Sequence, residues 1–387
     1  MRTAERHQPQ EVQVTTVRSR AERWAFIDLP YALHAGEPEF IPPLRMERRD
    51  FLDPAKHPWF EHGSAALFLA WKDGRIAGRI AAVDDPRFNA FHGTNEGHFG
   101  LFECEQDPAV ARSLLGAVRA WHAGRGRSSI AGPYSWSSNY ECGVLVDGFG
   151  VPPAPAMRTA WNPAWYGPLL EAAGLRKAKD LWAWELATAL QPPEKVVRVA
   201  NAVRARTGVT LRTVQLRAYA QEVERLKDLY NSAWERNWGF VPMTDGEFTL
   251  LARELRQLVV PELLLMAEVK GEPVAFSLAV PDANVALKAA GGNLTRWGLP
   301  VGLVKLLWAS RSIRRLRLLT LGVKAAYRHR GLDALLYLES IQRARALGYA
   351  SAELSWVLED NDLMNRAIAN LGGRRTRTWR LYEGGVG

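Results

Sequence analysis

The sequence predicts an α/β fold with mixed sheets, laid out as two similar domains in tandem. Two hairpin patterns are the first sign. Ala65 to Trp71, the turn Lys72-Asp73-Gly74 and Arg75 to Val83 recur as Leu263 to Val269, Lys270-Gly271 and Glu272 to Val280, with the same spacing from turn glycine to strand end. Apolar runs on either side of a Gly-containing turn are hairpin signals. Second, each hairpin is followed, after an insertion, by a strand, a helix and another strand. Third, each half ends on an Asn, a short helix, a glycine and a last strand. Strands alternating with helices in this way specify a sheet covered by helices.

Taken in order, residues 1–20 are polar and charged and read as a flexible N-terminus, with no secretory signal visible. Residues 21–190 form the first domain. His98 to Cys104 is its strand after the hairpin. Asp107-Pro108 supplies an N-cap and an N1 proline. Val110, Leu114, Val118 and Trp121 make one helical face, stopped by Gly124 and Gly126. Ser128 to Ala131 is the next strand, Asn162 precedes Gly174-Leu175, and Asp180 to Leu186 closes the half. Gln191-Pro192-Pro193 and a basic helix lead into the second domain, residues 191–387. There Leu316 to Val323 is a strand, a helix runs from the next loop to Gly348, and Ser351 to Val357 is a strand. Asn361 precedes Gly372-Gly373, and Thr376 to Tyr382 closes the half. An apolar and basic insertion occupies 282–314.

The 387 residues suffice for two full cores. A formal charge of +9 favours an anionic partner such as a phosphorylated cofactor or a membrane surface. Nucleic acid is disfavoured, because the basic residues are interleaved with acids and no recognition motif occurs. Cys104 and Cys142 are the only cysteines, and neither has a Cys or His at ligand spacing. His57, His62, His92, His98 and His122 likewise form no ligand pattern, so no metal is expected. No run of eighteen apolar residues is present, which argues against a spanning helix and for a cytoplasmic protein.

The most informative stretch runs from Leu318 to Gly373. A Leu-rich strand enters a basic loop, Tyr327-Arg328-His329-Arg330-Gly331, which opens directly into a helix carrying Leu335, Leu338 and Ile341. Such a junction points free N–H groups and the positive end of a helix dipole into one concavity, which suits a pyrophosphate. The stretch resembles the GCN5-related N-acetyltransferase (GNAT) superfamily, whose Arg/Gln-x-x-Gly-x-Gly/Ala motif holds the pyrophosphate of acyl-coenzyme A. Here the six positions are Arg328, His329, Arg330, Gly331, Leu332 and Asp333, and the last departs from the motif. Asp333 is placed to cap the helix. The resemblance implies acyl-CoA as co-substrate, held by Leu321, Gly322, Val323, the loop from Arg328 to Ala334, and Asn361. It also implies that a backbone N–H around Thr320 to Val323 holds the thioester carbonyl. The first half has Glu103-Cys104-Glu105-Gln106 where the basic loop would stand, and so is expected to shape the site without binding coenzyme.

The family's usual acid, a Tyr on the last helix, is replaced by Ile368. Substitute catalytic candidates are Ser355 and Glu359 near the exit of the fifth strand, Glu235 between the second domain's first helices, and Glu141 in the first domain. A carboxylate in a partly dry cleft can act as general base. Gly132 to Glu141 packs donors and rings into one loop at a strand end, giving Tyr134, Ser137 and Asn139 as substrate-binding candidates. Trp238 and Phe240 belong to the segment that lines the acceptor pocket in the family.

Trp297, Leu299, Val304, Leu307 and Trp308 lie in the insertion, followed by Arg311, Arg314, Arg315 and Arg317. Apolar residues beside a cationic rim suit a lipid pocket or an anionic membrane, at its inner face in a cytoplasmic protein. Trp297 is therefore also a substrate candidate. The layout is similar to the bacterial ceramide synthase type of acyltransferase, which implies transfer of a long acyl group from acyl-CoA to a lipid amine such as a sphingoid base. Ile368 and Asp333 favour the alternative of a non-catalytic acyl-CoA sensor; a nucleic-acid-binding protein is the second alternative.

Overall fold

The computed structural model describes residues 11–206, 208–235 and 237–387. The first half contributes strands β1 (Gln13–Thr16), β2 (Ser64–Lys72), β3 (Arg75–Asp84), β4 (Glu96–Cys104), β5 (Ser129–Gly132), β6 (Val144–Asp147) and β7 (Arg176–Ala187). Its helices are α1 (Arg20–Leu33), α2 (Arg45–Phe51), α3 (Pro86–His92), α4 (Pro108–Ala123) and α5 (Tyr166–Ala172). The second half contributes β8 (Val209–Thr213), β9 (Leu264–Val269), β10 (Glu272–Pro281), β11 (Arg315–Val323), β12 (Ser351–Leu358) and β13 (Arg374–Gly385). Its helices are α6 (Glu194–Arg206), α7 (Tyr219–Trp234), α8 (Asp245–Leu255), α9 (Asn284–Ala290), α10 (Val301–Ser310), α11 (Leu332–Ala346) and α12 (Asp362–Asn370).

Local chemistry explains several of these elements. Asp107 caps α4 by accepting from the Ala109 N–H, and Pro108 sits where a missing N–H costs nothing. Ser19 and Glu22 form a capping box at α1, as Thr244 and Glu247 do at α8. Of the N-terminus expected to be flexible, residues 1–20, residues 1–10 lie outside the described residues. From Gln13 the chain is an edge strand paired with β2, in place of an irregular arm.

All thirteen strands join one sheet, in the order β1-β2-β3-β4-β5-β13-β7-β12-β11-β10-β9-β8, with β6 also on β13. The closing strands are thus exchanged between the halves. β13 pairs with β5 from Tyr382↔Gly132 onward, and β7 pairs with β12 through Leu354↔Trp184. The exchange buries the middle of the sheet around Leu181, Ala183, Trp379 and Leu381. One buried cation crosses the seam there. Arg315 reaches Glu185 and Glu353 at 2.7 Å each and Asp282 at 3.1 Å. A guanidinium taken out of water needs such partners.

In the second half the sheet is covered on both faces. α6 and α11 pack on one side through Ala200, Val203, Leu332, Leu335 and Leu336. α7 and α8 pack on the other through Val223, Leu226, Phe248 and Leu255, against Phe276, Leu278 and Val280 of β10. The candidate site lies beneath α7 and α8.

Candidate active site

β11 and β12 run parallel, but their pairing stops early. The register holds from Arg315↔Ser351 to Leu318↔Leu354. Beyond it, β11 carries an extra residue against β10 between Leu278 and Ala279, and β12 shifts register against β7 between Leu354 and Val357. Bulges bend and twist a strand locally, so the two strands part. Leu321, Gly322 and Val323 lie on the parted stretch of β11, with backbone groups that β12 no longer satisfies. A Cβ on Gly322 would sit 2.4 Å from the Trp234 ring, so a residue without one is needed for α7 to lie this close.

The basic loop follows. Gly331 has φ +80° and stands as the N-cap of α11. Any other residue would be strained there, and its Cβ would fall 2.7 Å from Val199 of α6. Among the described residues, no internal acceptor meets the N–H groups of Gly331, Leu332, Asp333 and Ala334; the first helical bond runs from Leu335 N to Gly331 O. The open start of a 15-residue helix such as this one attracts anionic oxygens. Arg328 does not reach outward: it donates to the carbonyls of Val323 (3.3 Å) and Ala233 (2.7 Å), tying the loop to β11 and α7. His329 and Arg330 are exposed, and Arg330 lies 5.0 Å over the Tyr327 ring. Asp333 is exposed in the first turn and makes no capping bond, correcting the cap expected of it; Gly331 occupies that position. Asn361 caps α12 by accepting from Met364 N at 3.2 Å.

The parted strands border a cavity of about 260 Å³. Its apolar wall comes from Val223, Leu226, Phe248, Leu251 and Leu255 of α7 and α8, with Leu264 and Leu278 of the sheet. Polar groups border it from the first half (Ser138, Asn139, Tyr140, Arg158) and from the strands (Arg317, Thr320, Ser355). An apolar pocket with a few polar groups is the usual form of a small-molecule site.

The structure brings some sequence candidates to this cavity and leaves others outside. Ser355 lines it, buried, with its hydroxyl donating to Glu353 Oε1 at 2.6 Å. Asn139 lines it and accepts from Tyr230 Oη at 2.9 Å. Trp238 and Phe240 line it as well. Tyr134 and Ser137 are buried behind the lining, Tyr134 against the His98 ring and Ser137 accepting from Asn139 N. Glu141 pairs with Arg48 at 3.2 Å, and Glu359 is held by Lys177 at 2.6 Å and by the Asp180 N–H. Both carboxylates have structural partners away from the cavity lining. Glu235 is exposed at the C-cap of α7. Trp297 is 82% exposed and outside the cavity. Ile368 is fully buried among Leu186, Tyr337, Leu354 and Val357, so that position offers no acid.

The structure corrects the cationic rim and adds a feature the sequence did not show. Arg311 and Arg314 are exposed, but Arg315 and Arg317 point inward and are buried, so they are not part of a rim. Arg317 is buried at the cavity with no ion-pair partner among the described residues. Its terminal nitrogens donate to the carbonyls of Met157 and Ser355, while Nε finds no acceptor. Burial lowers its pKa to about 10, and Glu353 opposes this only in part. The added feature is a charge cluster joining the halves. His62 Nε2 is 3.4 Å from Glu247 of α8, and its Nδ1 is 3.5 Å from Asp85, a contact without hydrogen-bond geometry. Tyr140 donates to Glu247 at 3.1 Å, and Arg87 stands 3.8 Å from it. Burial disfavours the charged ring of His62, but the two carboxylates outweigh it and raise the pKa to about 9. No sequence signal could pair positions 62 and 247. Among the described residues, no group of three or more His, Cys, Asp or Glu is placed to hold a metal ion.

The matching place in the first half is closed. β4 and β5 pair from Glu96↔Ser129 to His98↔Ala131, and Tyr134 N then bonds Phe99 O at 2.7 Å. At the end of β4, Glu103 is held by His34 (2.7 Å), Tyr166 (2.8 Å) and Arg79 (3.4 Å). This buried acidic network occupies the position that in the second half leads to a basic, open loop.

No family model matches the chain. Over 380 residues it is 37% identical to a bacterial ceramide synthase from Caulobacter vibrioides (strain NA1000 / CB15N), covering 96% of this chain and 97% of that one. Protein YghO of Escherichia coli (strain K12) is 35% identical over 377 residues, covering 96% and 94%. A solved tandem GNAT protein from the clavulanic acid biosynthesis pathway matches with a TM-score of 0.55 at 13% identity, covering 97% of this chain and 99% of that chain. A GCN5-related N-acetyltransferase from Sphaerobacter thermophilus matches at 0.51 and 15% identity, covering 97% and 96%. At such identities the likeness is one of fold. Fold and relatives together make the protein an N-acyltransferase built on tandem GNAT halves. Its identity to the curated relatives over nearly the whole chain places it in the bacterial ceramide synthase family.

Proposed function

We propose that the protein moves a long acyl chain from coenzyme A to the amine of a lipid, with a sphingoid base as acceptor. The observation that carries this reading is the gap between β11 and β12, which has an open helix N-terminus beyond one end and an apolar cavity bordering it. In this reading the N–H groups of residues 331–334 take the pyrophosphate, and the freed edge of β11 takes the thioester carbonyl. The apolar cavity under α7 and α8 takes a hydrocarbon chain, which a small polar acceptor would not require. The name of the Caulobacter relative supports the choice of acceptor.

The acceptor nitrogen attacks the thioester carbon, the C–N bond forms, the C–S bond breaks, and a proton passes from nitrogen to the leaving sulfur. Ile368 cannot supply that proton. The Ser355 hydroxyl, aligned by Glu353, is the sequence candidate that borders the gap and can relay it. Both substrates are amphiphiles, so the protein would meet them at the inner face of a membrane.

Thermal shift with coenzyme A, acetyl-CoA and palmitoyl-CoA tests the donor, since a ligand stabilises by RT ln(1 + [L]/Kd). The expected order is palmitoyl-CoA above acetyl-CoA. No shift with any thioester would remove the reading.

A further inference from the structure

The stretch after Asp282 folds as α9, a tight turn and α10, and it leaves large apolar side chains in water. Trp297 is 82% and Trp308 72% exposed, and Leu299, Val304 and Leu307 are exposed beside them. On α10, positions 303, 304, 307 and 308 recur at the four-residue spacing of one helix face. The opposite face is the packed one. Gly302 and Ala309 are buried, and a Cβ on Gly302 would lie 1.8 Å from the Asn293 carbonyl. The helix is therefore docked by its small residues and presents its large ones outward, the reverse of a core-covering helix.

The surrounding charge has one sign. Residues 283–314 contain five Lys or Arg and no Asp or Glu. Arg296, Lys305, Arg311 and Arg314 are exposed, and none forms an ion pair among the described residues. Arg296 stacks 4.2 Å over the Trp297 ring, so the cation and the aromatic face share one edge. Among the described residues, no helix is long and apolar enough to cross a membrane.

We infer that this face, centred on Trp297 and Trp308, seats the protein on an anionic lipid surface, with α10 lying in the interface plane. Apolar side chains enter the boundary between headgroups and acyl chains, Trp rings sit at its level, and the cations meet lipid phosphates. The charge pattern favours anionic lipid over a second copy of the chain, whose matching face would carry the same sign. The inference stands apart from acyl transfer, because binding is read with no substrate present.

The test is co-sedimentation of the full chain with phosphatidylcholine vesicles, with and without about a third phosphatidylglycerol. Binding is expected to the anionic vesicles, to fall with added salt, and to drop at least tenfold in W297S/W308S. Each of R296Q, K305Q and R311Q should lower partitioning about fivefold, as a loss near 1 kcal/mol per cation implies. These side chains are exposed, so circular dichroism and thermal melting should be unchanged. Failure to bind either vesicle, or equal binding by wild type and W297S/W308S, would overturn the inference. So would a dimer in gel filtration that W308S abolishes, since a second copy would then cover the face.

Discussion

His62→Gln is expected to remove a clamp between the halves whose strength depends on pH. The ring lies between Asp85 of the first half and Glu247, the third residue of α8, the helix that walls the cavity. Arg87 and the Tyr140 hydroxyl also face Glu247. A rise in the His62 pKa from 6.5 to about 9 corresponds to about 3 kcal/mol of folding free energy. The Asp85 contact lacks hydrogen-bond geometry, so about 2 kcal/mol is the better figure. The folded pKa is raised, so the stabilisation is fully present below about pH 6.5 and lost as pH climbs through about 9. Urea denaturation of wild type and variant, in steps from about pH 6 to pH 10, reads this directly. The variant should be less stable by about 2 kcal/mol at the acid end, with the gap closing toward pH 10. A gap independent of pH would refute the clamp.

Gly331→Glu should weaken coenzyme A binding by about a hundredfold or more in calorimetry, because it puts a carboxylate at the open helix start. It should also cost about 1–3 kcal/mol of stability from the positive φ and the Val199 contact; unchanged affinity would place the pyrophosphate elsewhere. Ser355→Ala should lower kcat by about ten- to a hundredfold with little change in KM, and an unchanged kcat would remove Ser355 from the proton path. Leu226→Trp fills the cavity beneath α7 and should move donor preference toward shorter chains, read as kcat/KM for acetyl- against palmitoyl-CoA, at about 1–3 kcal/mol of stability. An unaltered preference would mean the acyl chain lies outside the cavity.

Local patterns made much of the fold legible. The hairpin at Lys72-Asp73-Gly74, the Asp107-Pro108 helix start, and the run from β11 through the Gly331 loop into α11 each follow from side chains a few positions apart. The strand exchange is different. β7 and β13 have similar length and alternation, and nothing local says that β13 sits beside β5 while β7 sits beside β12. The same limit governs the site. The loop around Gly331 and the strand before it are contiguous and were readable. Arg317 and Tyr140 line one cavity though they lie far apart in the chain, and His62 meets Glu247 across 185 positions. The carboxylates proposed at Glu141 and Glu359 had suitable chemistry, but Arg48 and Lys177 hold them in structural pairs. Surface placement was half legible: the apolar run of α10 could cover a sheet or face water, and only the close approach of Gly302 shows which side packs.

The most direct test is free-thiol release from palmitoyl-CoA in the presence of sphinganine, with the amide product followed by mass spectrometry. Thiol should appear in step with N-acyl product, in an amount set by the amine added. Binding of palmitoyl-CoA without thiol release, with sphinganine or any other long-chain amine, would contradict transfer to a lipid amine.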